Sequence, residues 1–506
     1  MKKLSYFSID DVSLPFRHNV FLTINKPEII KESVLKPSEY GSGKPDDVAA
    51  HFYGTVLYDD GKYRMWYYAC HKGLNPDLPP EMMRQTVKMP PWGWDLLQGP
   101  LCYAESEDGI NWVKPVLNQF KFKGNTLNNA ILLPHTIVSG PTLIKDEGDK
   151  DPARRYKMIY QYFPEFSEPL IEEYGNISSV AMAVSPDGLN WTMTATPFIN
   201  QFTEHCSFMK HDGKYILHYH TIDDWNHLAE GGTYSGRIGV ARVSPDFDYW
   251  PDIWAETFAL PEPADRSKRG AAYDYDQVHL GVGAVSFGNV SIGLYGLWHN
   301  ANFDTFMKIS GDLGLLISND GIHFREPAKG HVFIHRDESP ATVIEGHDYN
   351  TILCQTNGIL NVGEKTLIYH GRWRNAGENH LDESIKHYGA EVGLATLSLD
   401  RWGGLSLIPG SEKGVVLSCL TELSGDDRIS LNADGLANIK VSLLDENFRP
   451  IPGFENAGAQ GCCGFNAKVE WEGRLSNLAG RKVYIQITMH KGESDPKLYA
   501  IYAEGK

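Results

Sequence analysis

Among 506 residues only seven are cysteine, none in zinc-site spacing, and only Cys462 and Cys463 are adjacent. Neither a structural zinc site nor a disulfide framework is written into such a set. An odd, unpatterned group of thiols fits a reducing compartment, so the expected location is the cytoplasm. Positive charge is also short: 47 Lys and Arg against 64 Asp and Glu leave a net charge of −17. That balance disfavours nucleic acid and anionic membrane surfaces as partners. No apolar run is long enough to cross a bilayer. The opening MKKLSYFSIDDVSLPF carries lysines without the uninterrupted apolar stretch of an export signal.

Glycine and aromatics are plentiful, with 49 Gly, 25 Tyr and 12 Trp, the mixture of a turn-rich β protein. One turn recurs. AESEDGINW (104–112) returns as AVSPDGLNW (183–191), and VSPDFDYW (243–250) and ISNDGIHF (317–324) keep its frame. Each has Ser, then Asp two residues on, then an aromatic six residues on: Ser106/Asp108/Trp112, Ser185/Asp187/Trp191, Ser244/Asp246/Trp250 and Ser318/Asp320/Phe324. A degenerate fifth copy holds Ser398, Asp400 and a shifted Trp402. Asp caps such a turn, Gly permits positive φ and the aromatic packs beneath the next strand.

Alternating hairpins lie between the turns, at 54–69, 140–162, 207–220, 285–298 and 358–373. Five hairpins interleaved with five turns predict an all-β chain whose residues 1–402 form a five-bladed β-propeller with an N-terminal lead-in. Stacked sandwiches would give no reason to repeat one turn. Residues 403–506 alternate at period two without the Ser-x-Asp turn and are expected to form a β-sandwich.

YDDGKYRMWY in the first blade and EHCSF (204–208) in the third resemble the glycoside hydrolases of the fructosidase and arabinanase type. The resemblance implies a central pocket with a nucleophile or base from blade one, a stabilising Asp from blade two and an acid Glu from blade three. On that resemblance Glu204 takes the acid's position. The other two positions depart from the pattern: AHFYG puts His51 near the first-blade Asp, with Asp46 and Asp47 just upstream, and Ser139 occupies the second-blade slot.

Glycosidic cleavage needs two carboxyls facing one another. Asp47 in blade one and Asp276 in blade four join Glu204 as catalytic candidates, against a structural or hydroxyl-binding role. His51, His279, Asp348, His370, Arg372 and Arg374 are candidates for binding substrate. The histidines suit sugar hydroxyls, and the arginines of YHGRWR suit an anion. Converging histidines also hold metals, but no local ligand spacing is present, and neither a metal nor a cofactor is assigned. The expected function is hydrolysis of a short oligosaccharide, with no nucleic-acid or membrane partner and with homo-oligomerisation left open. A phosphorylase with one carboxyl and a basic phosphate site, and a non-catalytic glycan-binding propeller, remain as alternatives.

Overall fold

Residues 3–78, 96–135, 138–162, 179–195, 204–225, 234–258, 281–299, 310–346, 349–374, 388–424, 427–461 and 464–505 are described by a computed structural model. All five expected hairpins form: Ala49–Asp59 with Lys62–Lys72, Val138–Lys145 with Tyr156–Tyr162, Glu204–His211 with Lys214–Trp225, Gly283–Ser286 with Ser291–His299, and Ile359–Val362 with Lys365–Arg374. A third strand joins each, and these third strands end at Ser106, Ser185, Ser244, Ser318 and Ser398, the serines of the repeated turn. The fifth unit gains its outer strand, Glu28–Leu35, from the start of the chain. These antiparallel units, blades one to five below, make an all-β, propeller-like arrangement.

The turn repeats because it does two jobs. Locally, Ser106 Oγ accepts from Gly109 N at 3.0 Å, and Asp108 Oδ1 accepts from Ile110 N and Asn111 N at 2.9 and 2.7 Å. Ser185 and Asp187 make the same set of bonds. The sequence suggests no more than that. The structure adds that the turn's glycine carbonyl is a docking point for the neighbouring blade. Trp66 Nε1 of blade one donates to Gly188 O at 2.7 Å, and His218 Nε2 of blade three meets Gly321 O at 2.8 Å. Tyr369 Oη of blade five donates to Gly109 O at 2.7 Å, joining the last blade to the first.

A second repeated contact lies at the ends of the inner strands. Asp59 accepts from Lys145 Nζ at 2.5 Å and from Tyr156 Oη, both in blade two. Asp146 accepts from Lys210 Nζ at 2.9 Å and Tyr215 Oη at 2.5 Å, both in blade three. Between blades three and four the charge is gone, and His211 Nδ1 lies 2.9 and 3.1 Å from the hydroxyls of Ser286 and Ser291.

Residues after 403, expected as a sandwich, run in one twelve-stranded, nearly closed sheet. Ala457–Gln460 links its two faces by pairing with both Ile439–Leu444 and Ala467–Val469. The first three strands of the lead-in, which the sequence places with the propeller, pair here instead. Lys3–Phe7 pairs with Lys497–Glu504, Phe16–His18 with Lys413–Leu417, and Val20–Ile24 with Gly403–Leu407. An open sheet edge takes a free strand readily, and local alternation carries no sign of a partner some 400 residues away. Phe7, Trp402 and Tyr502 then share one core with Ile292, Leu313 and Ile368 of blades four and five.

Candidate functional site

The inner strands pack side by side, and a parallel bridge between Thr55 and Asn357 sets blades one and five in the same sense. Their C-terminal ends surround a cavity of about 290 Å³ lined in part by Asp59, Lys145, Asp146, Lys210 and Asn357. Its charges are already paired with one another, as described above, so this end reads as a structural seal. Above it, Asn357 Nδ2 reaches Leu143 O at 3.0 Å, Thr55 Oγ1 at 3.3 Å and Phe208 O at 3.4 Å. One amide thus ties the inner strands of blades one, two and three to blade five.

The opposite mouth gathers the N-terminal ends of the inner strands, where the sequence places its site. His51 is buried there in an aromatic enclosure. Its ring stacks on Tyr68 at 4.6 Å, meets Trp373 edge-on at 5.1 Å, and brings Nε2 to 2.6 Å from Tyr388 Oη. Burial pushes its pKa down to about 3, so the imidazole is neutral. Asp47 is fully buried, and its oxygens accept from Gly43 N at 2.9 Å and Lys72 N at 3.0 Å. Burial raises its pKa, against those two bonds. A carboxylate so engaged organises the loop before blade one. Asp46 is likewise committed, to Ser38, Tyr67 and Lys114.

Glu204 opens the inner strand of blade three, and its backbone pairs with that of His220, which is fully buried. The described structure of Glu204 is its backbone. Asp276, His279 and Asp348 lie outside the described residues. Blade two contributes His135 near this mouth, with Nδ1 2.7 Å from Tyr160 Oη and its ring stacked at 3.9 Å on Tyr162; burial lowers its pKa to about 4. Blade four contributes His299, whose Nε2 lies 2.9 Å from Asp312 Oδ2. Burial works to raise the Asp312 pKa, but His299 and Arg336 hold it below the ordinary carboxylate range. Among the described residues no three His, Cys, Asp or Glu side chains come together as a metal-binding group.

The expected anion clamp in blade five has another role. Arg372 is fully buried and donates from Nε to Ser339 Oγ at 2.8 Å, from Nη1 to Lys31 O at 2.9 Å and Ser33 Oγ at 3.0 Å, and from Nη2 to Ile30 O at 2.7 Å. It straps the outer strand Glu28–Leu35 to its blade. His370 Nε2 lies 2.7 Å from the same Ser339 hydroxyl, and burial pushes its pKa to about 3. Only Arg374 of the three is half-exposed, at the mouth end of its strand. The motif identified a cluster of cations, but two-residue alternation does not say which face is covered.

His135, His220, His299, Asp312 and Tyr388 are mouth residues that the sequence reading missed. A signal existed for His220. The Asp212–Gly213 turn pairs His211 with Lys214, and counting outward places residue 221 opposite Glu204, shifted by one at the bulge between His205 and Ser207. His299, Asp312 and Tyr388 have no comparable local mark.

No protein-family model and no curated protein matches the chain. Among solved structures, it is similar to a β-1,2-mannobiose phosphorylase from Listeria innocua, at 13% identity and TM-score 0.45 over 74% of this chain and 96% of that one. It is also similar to a family 117 glycoside hydrolase from Zobellia galactanivorans, at 14% identity and TM-score 0.40 over 76% and 93%. A family 43 arabinoxylan arabinofuranohydrolase from Bacillus subtilis aligns over 94% of this chain and 99% of that one, at 10% identity and TM-score 0.36.

Proposed function

We propose that this protein cleaves a glycosidic bond in a short oligosaccharide bound at the mouth of a five-bladed propeller, with Glu204 as the general acid. The observation that carries the reading is the place of Glu204: it begins the inner strand of blade three, at the mouth opposite the charge-paired seal. For that role the Glu204 carboxyl has to keep its proton near neutral pH, as any acid catalyst must. The neutral imidazoles of His51 and His135 suit recognition of sugar hydroxyls. In blade one the carboxylate of Asp47 is engaged by backbone N–H groups, and the strand itself brings His51, so the attacking group is taken to be water. Its proton passes to a second carboxylate, the role the sequence leaves to Asp276. The commitment of His370 and Arg372 to strand packing weighs against a phosphate site there. The odd, unpatterned set of seven cysteines supports a cytoplasmic setting and hence an imported substrate.

The test is hydrolysis of a panel of oligosaccharides, with and without phosphate, by wild type and Glu204→Gln. The variant is expected to lose at least about a hundredfold in kcat on natural glycosides. Activated aryl glycosides, which need no protonation, should suffer less. Undiminished turnover in the variant would remove Glu204 from the chemistry, and phosphate-dependent release would replace hydrolysis with phosphorolysis.

A further inference from the structure

Blade one brings an imidazole to the mouth, and its surroundings determine where that imidazole keeps its proton. The 2.6 Å between Tyr388 Oη and His51 Nε2 is the spacing of a hydroxyl that donates, since N–H donors sit nearer 2.9 Å. The ring is held flat against Tyr68, with 1° between the planes, and Trp373 closes on it at 88°. Turning it over would put carbon where Nε2 meets the phenol. A neutral imidazole that accepts at Nε2 carries its hydrogen on Nδ1. Nδ1 of His51 is buried and makes no hydrogen bond among the described residues. A buried N–H without an acceptor is expensive and calls for a function, such as holding a ligand or a water.

We propose that Tyr388 is a positioning residue that holds His51 as its Nδ1–H tautomer, so that blade one offers a hydrogen-bond donor to an oxygen of the bound sugar. The slot that carries a nucleophile or base in the enzymes this chain resembles is thereby turned from acceptor to donor. The sugar as occupant rests on the glycosidase reading, whereas the tautomer stands without it.

Two-bond ¹H–¹⁵N spectra of the full chain, labelled at histidine, test the assignment, with the His51 signals identified by their loss in His51→Phe. The wild type is expected to show a protonated Nδ1 and a bare Nε2, and added product sugar is expected to shift the Nδ1 resonance. Tyr388→Phe keeps the ring and removes the hydroxyl. It should move the His51 proton toward Nε2 and raise KM about five- to tenfold, the worth of one buried neutral hydrogen bond, with kcat nearly unchanged. A wild-type proton on Nε2, or an unaltered pattern in Tyr388→Phe, overturns the tautomer lock. An unmoved Nδ1 resonance in the presence of a sugar the enzyme turns over overturns the donor role. Should Tyr388→Phe fail to fold, the wild-type spectrum decides the tautomer alone. If no glycoside is cleaved, the functional reading fails while the spectra still report on the tautomer.

Discussion

Histidines that are buried without charge set the acid limit of this protein residue by residue. His51, His218 and His370 are pushed by burial from 6.5 to about 3, 4 and 3, with nearby Arg372 adding to the effect at His370. The unfolded chain takes up protons near 6.5 while the folded one does not, so their contribution is complete above that pH. It is lost as pH falls toward the folded values, at up to about 1.4 kcal/mol per pH unit for each histidine. Urea midpoints measured at pH 7.5, 6 and 5 are expected to fall in that order, and a flat series would contradict the neutral-histidine account. Asn357 poses a separate test. Its amide serves Thr55, Leu143 and Phe208 together, and Asn357→Ala leaves those acceptors to water or to nothing. A loss of about 1–3 kcal/mol is expected from denaturant titration.

The elements that matter most are the repeated turns, because they join blades as well as strands. Two glycines separate the local role from the docking role. Gly61 has φ +81° and open space where a Cβ would go, whereas at Gly109, φ +75°, a Cβ would come within 2.6 Å of the Tyr369 hydroxyl. Both alanine variants strain the backbone by about 1–2 kcal/mol, partly offset by the stiffer unfolded chain. Gly109→Ala should cost roughly another 1 kcal/mol or more, since it also displaces the hydroxyl that joins blade five to blade one. Equal melting temperatures for the two variants would mean that this contact contributes nothing. The pairing of Asp59 with Lys145 and of Asp146 with Lys210 has the same logic at the same end of the blades, on the inner strands.

At the scale of the whole molecule, the terminal sheet is built into blades four and five through a shared core. Among the described residues, Lys3–Phe7 and Val20–Ile24 pair with strands beyond residue 402. Tyr502 Oη also donates to Asp400 Oδ2 at 2.7 Å, across the boundary drawn from the sequence. A chain truncated after residue 402 would expose Phe7, Trp402 and their core neighbours together with unpaired strand edges. Such a chain is expected to appear in the insoluble fraction on expression. A soluble, monomeric truncation with native-like melting would show that the propeller stands alone.

The sequence by itself determined the repeating unit. Ser-x-Asp turns and period-two alternation are local, and local hydrogen bonds and side-chain direction suffice to specify hairpins, so all five stood where they were expected. It also marked Glu204, because a carboxyl opening an apolar strand breaks that pattern. Tertiary structure alone decided the rest. Whether Arg372 clamps an anion or straps a strand depends on what covers its face, and Ile30 and Lys31, more than 340 residues away, supply the answer. Asp47 looked available until Gly43 and Lys72 claimed its oxygens, and Tyr388 carried no mark until folding set its hydroxyl against His51. Burial and long-range partners set the charge and proton position of a side chain, and neither is encoded in its immediate neighbours.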